Sequence, residues 1–226
     1  MQLTKNRQTG MSLLSLMIGL LISMIAILGM MSLFSNSVKT TTQSSRDARI
    51  TGERASGLLI AGIHLQSAGY GVVNANRSEH LQLLSAATRT DNRVAGTPIG
   101  NDGTGNVLIW QVQPAAQSRC AGLYAPSGDA EKGLYELVEK DCASISDASA
   151  SDWEFRRLIF DTQDIQTLLA VTITLTTHDI TTPCRGFGVA GAGSISITLN
   201  AAEASGQTLN STTCLLNFSV TPGVTP

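Results

Sequence analysis

The chain is poor in aromatic rings, in positive charge and in histidine. Phe, Trp and Tyr make up 4% of its 226 residues, too few for the stacking platforms that hold single-stranded nucleic acids. Fifteen basic residues face 17 acidic ones, for a net charge of −2. Residues 1–10 carry only Lys5 and Arg7; without them 13 basic residues face 17 acidic ones, and the balance falls to −4. Phosphate neutralisation needs a basic excess or stripe, so direct nucleic-acid binding is not expected. The three histidines, His64, His80 and His178, have no metal-ligand spacing. Asn101-Asp102-Gly103 begins like a calcium loop but lacks the later ligands and the bidentate acid. There is no C-x-x-C, G-x-S-x-G or H-E-x-x-H, and Asp161 and Asp164 read as surface acids. No catalysis, metal or cofactor is expected.

What the chain does have is apolar character concentrated at one end. Residues 2–9 are polar, no residue from Gln8 to Val38 is charged, and Met11–Phe34 is apolar apart from scattered Ser and Gly. As a helix this stretch spans about 36 Å, more than the roughly 30 Å hydrocarbon core of a bilayer. Three readings compete. A secretory signal has a shorter apolar run and a small-residue cleavage site, for which Ser35-Asn36-Ser37 is a weak match. A plain uncleaved signal anchor fits the length but gives Gly10 no purpose. A processed leader explains why the basic segment ends in Gly immediately before the apolar run.

Gly10-Met11-Ser12-Leu13-Leu14-Ser15-Leu16-Met17 resembles the leader junction of type IV pilins and pseudopilins. The resemblance implies that an inner-membrane prepilin peptidase cuts after Gly10 and methylates Met11 as the new N-terminus. The fifth mature residue of that family is usually Glu; here it is Ser15. A carboxylate within a bilayer costs roughly 2.5–3.5 kcal/mol, so one is kept for a purpose. In the family that purpose is thought to be pairing with a neighbouring subunit's N-terminal amine. Ser15 offers only a hydroxyl, which can return to a carbonyl of its own helix. Two readings follow: drift in a low-abundance subunit that tolerates weak docking, or a tip subunit with no earlier subunit to dock against. The tip pseudopilin of type II secretion also lacks this Glu.

Beyond the apolar run, Val38, Thr41 or Thr42, Ser45, Ala48, Ala55, Leu59 and Ile63 recur at three- or four-residue steps. The spacing predicts one long helix over about residues 11–68, with Gly69-Tyr70-Gly71 as its stop and this stripe covered by a sheet. Leu65-Gln66-Ser67-Ala68-Gly69-Tyr70-Gly71 partly resembles the end of the long helix in PilW-type minor pilins. Asn106-Val107-Leu108-Ile109 resembles their first strand after a Gly-rich loop. Residues 96–106 read as that loop. Strands are expected at Val107–Val112, Leu134–Val138, Trp153–Phe160, Val171–Thr176, Ser194–Leu199 and Leu216–Val220, several of them with period-two alternation.

The fold expected is therefore α+β and pilin-like, a long N-terminal helix packed on a C-terminal antiparallel sheet domain. Its parts are a leader at 1–10, an apolar transmembrane and assembly helix at 11–35, an amphipathic continuation at 36–69 and a β-rich periplasmic or extracellular domain at 70–226.

Cys120, Cys142, Cys184 and Cys214 form an even set beyond a membrane segment, which points to an oxidising compartment. Three connectivities are possible, with free buried thiols as the alternative. Neighbour pairing, Cys120 with Cys142 and Cys184 with Cys214, is preferred. Gly186-Phe187-Gly188-Val189-Ala190-Gly191 matches G-x-G-x-x-G but lacks the strand before it and the helix after it, so a hairpin loop is the expectation.

The resemblance implies a minor pilin that helps initiate or cap a type IV pilus or competence-type filament, with motility, adhesion or DNA uptake downstream. Its implied partners are other minor and major pilins, the prepilin peptidase and the inner membrane. A type II secretion pseudopilin and a membrane-anchored surface-binding module are the alternatives.

Overall fold

A computed structural model describes residues 13–100, 102–127, 132–159, 170–186, 191–202 and 207–218. The chain is α+β, with a long N-terminal helix and antiparallel sheets. It divides into two compact units, Met1–Arg49 and Ile50–Pro226.

The helix α1 runs over Leu13–Gln66. Its later part buries Gly57, Leu58, Ala61, Gly62 and Leu65, a set at helical spacing. Leu58 and Leu65 each contribute about 1.5–3 kcal/mol by leaving water. The buried stripe is not the expected one. Leu59 is 66% exposed and Ile63 59% exposed, and Ala55 is exposed as well. The expectation followed the large apolar residues, whereas the buried line includes two glycines and an alanine. Close approach decides this. A Cβ at Gly57 would lie 2.3 Å from Ile159 Cγ1 and 2.7 Å from Leu158 O. The helix ends in turns through Gly69 and Gly71, with φ of 75° and 74°, a conformation that favours glycine. Gly69 N–H donates to Gln111 O at 2.9 Å.

A short helix α2 (Arg77–His80), capped by Asn76, leads into the strands β1 (Leu81–Thr90), β2 (Arg93–Ile99), β3 (Gly103–Gly105), β4 (Val107–Val112), β5 (Arg119–Tyr124) and β6 (Leu134–Asp141). After a second short helix α3 (Ile145–Ala150), capped by Ser144, come β7 (Phe155–Ile159), β8 (Val171–Thr177), β9 (Cys184–Arg185), β10 (Ala192–Gly193), β11 (Ile195–Ala202) and β12 (Thr208–Cys214). They form a six-stranded sheet in the order β2-β1-β4-β5-β6-β7, a four-stranded sheet in the order β12-β11-β8-β3 and the small β9–β10 pair. Every pairing is antiparallel.

Three expectations fail here. Residues 96–106 are not one loop, since β2 runs to Ile99 and β3 occupies 103–105. The Asn106–Ile109 segment does not open the sheet region, because three strands precede β4. The last described strand is Thr208–Cys214, while Leu216–Phe218 is a turn closed by Phe218 N–H donating to Leu215 O at 3.2 Å; Val220 lies outside the described residues. The Trp153–Phe160 strand begins later than expected, at Phe155; Phe160 lies outside the described residues.

The main core lies between the two sheets and the helix. It joins Leu58, Ala61 and Leu65 to Leu108, Trp110 and Leu123 of the larger sheet and to Ile173, Leu175, Ile197 and Leu199 of the smaller one. A second core, around Ile109, Tyr124, Leu137 and Trp153, fills the opposite face of the larger sheet. Asn106 stands where the chain crosses from β3 to β4. It is buried, and its amide donates to Ala87 O at 2.7 Å and accepts from Ala87 N–H at 2.8 Å. β1 breaks register between Ser85 and Thr88, and Ala86 has a φ of 48°. The Asn106 side chain thus supplies Ala87 with the pairing that a regular strand would have given it.

Candidate functional site

Three regions are candidates for function: the apolar part of α1, the outer side of its later part, and a groove on the β-rich unit. The first is uncharged from Leu13 to Val38. Every residue described from Leu13 to Arg49 is exposed. α1 is long and apolar enough to cross a membrane, with a mean hydropathy of 2.5 in its best window, none of it buried. Its hydroxyls turn inward: Ser23 donates to Gly19 O at 2.8 Å, and Thr40, Thr41 and Thr42 donate to the carbonyls of Asn36, Ser37 and Val38. Such back-bonding lets a hydroxyl sit in an apolar medium with its donor satisfied. Ser15 lies on this stretch and is exposed; Gly10 and Met11 lie outside the described residues.

The later part of α1 keeps Leu59, Ile63 and part of Ile60 outward. Its inward edge carries His64, whose Nδ1 stands 3.5 Å from Glu136 Oε1. Glu136 is 6% exposed. Arg156 Nε lies 2.8 Å from its other oxygen, at an angle too oblique for a hydrogen bond. This cluster ties the helix to β6 and β7. It was missed in the sequence because its members are 72 and 20 residues apart (64 to 136, and 136 to 156).

The groove has a volume of about 470 Å³ and is lined by Arg89, Asn92, Asp152, Trp153, Glu154 and Phe155. The Arg89 guanidinium lies 4.0 Å from the Phe155 ring centre, and Lys140 Nζ lies 3.8 Å from the Trp153 ring centre. Arg93 Nε donates to Asp152 at 2.7 Å. Burial pushes the Lys140 ammonium below the usual lysine range, with Asp152 pulling the other way. Planar polar groups around aromatic rings are the chemistry of sugar recognition, but here both rings already carry a cation. Spacing gave no signal for this site, because the β1–β2 turn and the segment before β7 meet only in the fold.

The cysteines form two disulfides, Cys120–Cys142 and Cys184–Cys214, so the neighbour pairing is the one present. Separations of 22 and 30 residues make each worth about 3 kcal/mol in the loop-entropy model. Of the remaining sequence candidates, Asp102 accepts from Thr177 N–H at 2.9 Å and from Thr177 Oγ1 at 2.8 Å, and pairs with Arg77 at 3.3 Å. His80 Nδ1 accepts from Asn76 N–H at 3.2 Å, and His178 Nε2 lies 2.8 Å from Ser196 Oγ. Among the described residues no three His, Cys, Asp or Glu side chains gather as metal ligands. β9 and β10 pair antiparallel, with Gly186 directly after β9 and Gly191 directly before β10; residues 187–190 of that motif, like Asp161 and Asp164, lie outside the described residues. No family model, curated protein or solved structure matches the chain.

Proposed function

We propose that the chain is a minor pilin-like subunit that helps start or cap a type IV pilus or competence-type filament, at or near its tip. One observation carries the reading. A helix that is uncharged and outwardly apolar over Leu13–Val38 continues unbroken into a stripe, Gly57 to Leu65, that a disulfide-bonded β-rich unit buries. An anchor alone needs no such continuity; a subunit that carries its folded domain on an extractable helix does.

On this reading the basic leader holds the N-terminus in the cytoplasm and the helix crosses the inner membrane once. Cleavage after Gly10 leaves a methylated Met11. The helix then leaves lipid for a core of sister helices, where packing replaces contact with acyl chains and the gain is close fit rather than a large hydrophobic transfer. The partners are other minor and major pilins and the prepilin peptidase. Ser15 removes the carboxylate through which a shaft subunit would dock, which favours a tip position.

Gly10→Ala tests the scheme: immunoblots should show a slower-migrating precursor that stays in the membrane, and an unchanged mature mass would refute it. Ser15→Glu tests the tip assignment: filament yield should be unchanged or slightly lower, whereas a marked rise in incorporation along the shaft would overturn it. The second reading, a membrane-anchored surface-binding module, has the Arg89–Phe155 groove in its favour and predicts indifference to loss of the peptidase.

A further inference from the structure

Among the described residues, the outermost strands of the two larger sheets, β2, β7, β12 and β3, are not protected equally. β2 carries Gly96 and Pro98, β7 carries Arg156 and Arg157, and β3 is three residues long. Proline, charge and brevity are the usual guards against pairing with another chain. β12, Thr-Leu-Asn-Ser-Thr-Thr-Cys, has none of them. It pairs with β11 over seven consecutive residues without a bulge, and it has no proline, glycine or charge.

The register shows which groups are free. Leu215 N–H donates to Ile195 O at 2.9 Å, so the uninterrupted ladder bonds Thr213, Ser211 and Leu209 to β11. The N–H and C=O of Thr208, Asn210 and Thr212 therefore point away from the sheet, and among the described residues they have no backbone partner. The outer face beside them is uncharged. Thr212, Thr198, Thr174 and Thr104 stand opposite one another across all four strands, with Thr198–Thr212 and Thr104–Thr174 hydroxyl contacts of 2.9 and 3.0 Å. On the inner face α1 lies over β12: a Cβ at Gly62 would be 3.2 Å from Thr213 Oγ1. Leu59 is about 60° further round the helix towards solvent, and it is exposed.

We propose that the β12 edge binds an extended segment of a different polypeptide, which adds a fifth strand to the smaller sheet. Its backbone meets Thr208, Asn210 and Thr212. Its outward side chains are uncharged and extend the threonine face, and its inward side chains are apolar and cover Leu59. A second copy of this chain fits less well, because a β12 from that copy would bring only Leu209 inward, beside Ser211 and Thr213. The inference is independent of how the N-terminal segment is processed.

The test uses the full chain in the cells that make it, with Thr212→p-benzoylphenylalanine as a photo-crosslinker. The expected result is an adduct with another protein, mapped by mass spectrometry to an uncharged segment with alternating apolar residues. A matched probe at Thr97, on the guarded β2 edge, should give none. Adding Asn210→Pro, which removes an outward N–H, should lower the adduct roughly tenfold while both disulfides form. Should that variant fail to oxidise, Thr208→Pro at the strand start serves instead. The proposal is overturned by an adduct to β12 of a second copy, by no adduct from position 212, by equal yield from Thr97, or by a yield that proline leaves unchanged.

Discussion

The two ends of α1 use apolar residues in opposite ways. From Leu13 to Phe34 they are large, they surround the helix and all are exposed. From Gly57 to Leu65 the residues that face the β-rich unit are mostly small, and the large Leu59 and Ile63 face out. Hydrophobicity alone therefore does not locate the interface along this helix. The distance at which backbone meets backbone does, and glycine and alanine set that distance.

Truncating a buried and an outward leucine of the later part gives the largest contrast. Leu65→Ala should destabilise the β-rich unit by about 2–5 kcal/mol, while Leu59→Ala should stay within about 0.5 kcal/mol, both read from denaturant unfolding of the detergent-solubilised full chain. Equal losses would mean that Leu59 is covered after all. The glycines give a finer and oppositely signed contrast. Gly57→Ala collides with Ile159 and the Leu158 carbonyl and should cost about 1–3 kcal/mol. Gly52→Ala meets nothing within 4 Å and should add up to about 1 kcal/mol through helix propensity, so their thermal midpoints should move in opposite directions.

The smallest effect is one of pH. The apolar end has no titrating side chain from Leu13 to Val38, so acid acts elsewhere. Asp179 is held down to about 2, first by the side-chain hydroxyls of Thr181 and Thr182 and then by the Thr182 N–H. The unfolded carboxyl titrates near 3.9. Its contribution is thus complete above that value and is lost as pH falls through about 2. An NMR titration of the Asp179 carboxyl should give a midpoint near 2, and Thr181→Ala should raise it.

Parts of this fold were legible in the sequence, Val171–Thr176 and Ser194–Leu199 by their alternation and Val107–Val112 as an apolar run that is buried on both faces. These are core strands, and the long helix and its glycine stop follow from composition. The first hairpin was not legible. β1 changes phase at the Ala86 bulge, and β2 holds a glycine and a proline, which an edge strand tolerates but which read as loop. β12 was hidden for another reason: its inward residues Ser211 and Thr213 lie under the helix near Gly62 and need no apolar bulk. The candidate sites divide in the same way. Ser15 and the cysteines are visible as single letters. The His64–Glu136–Arg156 cluster and the groove around Trp153 exist only once distant segments meet.

The placement of the disulfides bears on how the chain is made. Cys120–Cys142 closes beside the second core and Cys184–Cys214 closes at one end of the smaller sheet, and each joins neighbours in the order in which they are synthesised. A chain emerging N-terminus first into an oxidising space meets each cysteine's proper partner as the next one to appear. The first bond can close before Cys184 is exposed, so order of arrival alone selects one connectivity of three, and no mispaired bond has to be undone.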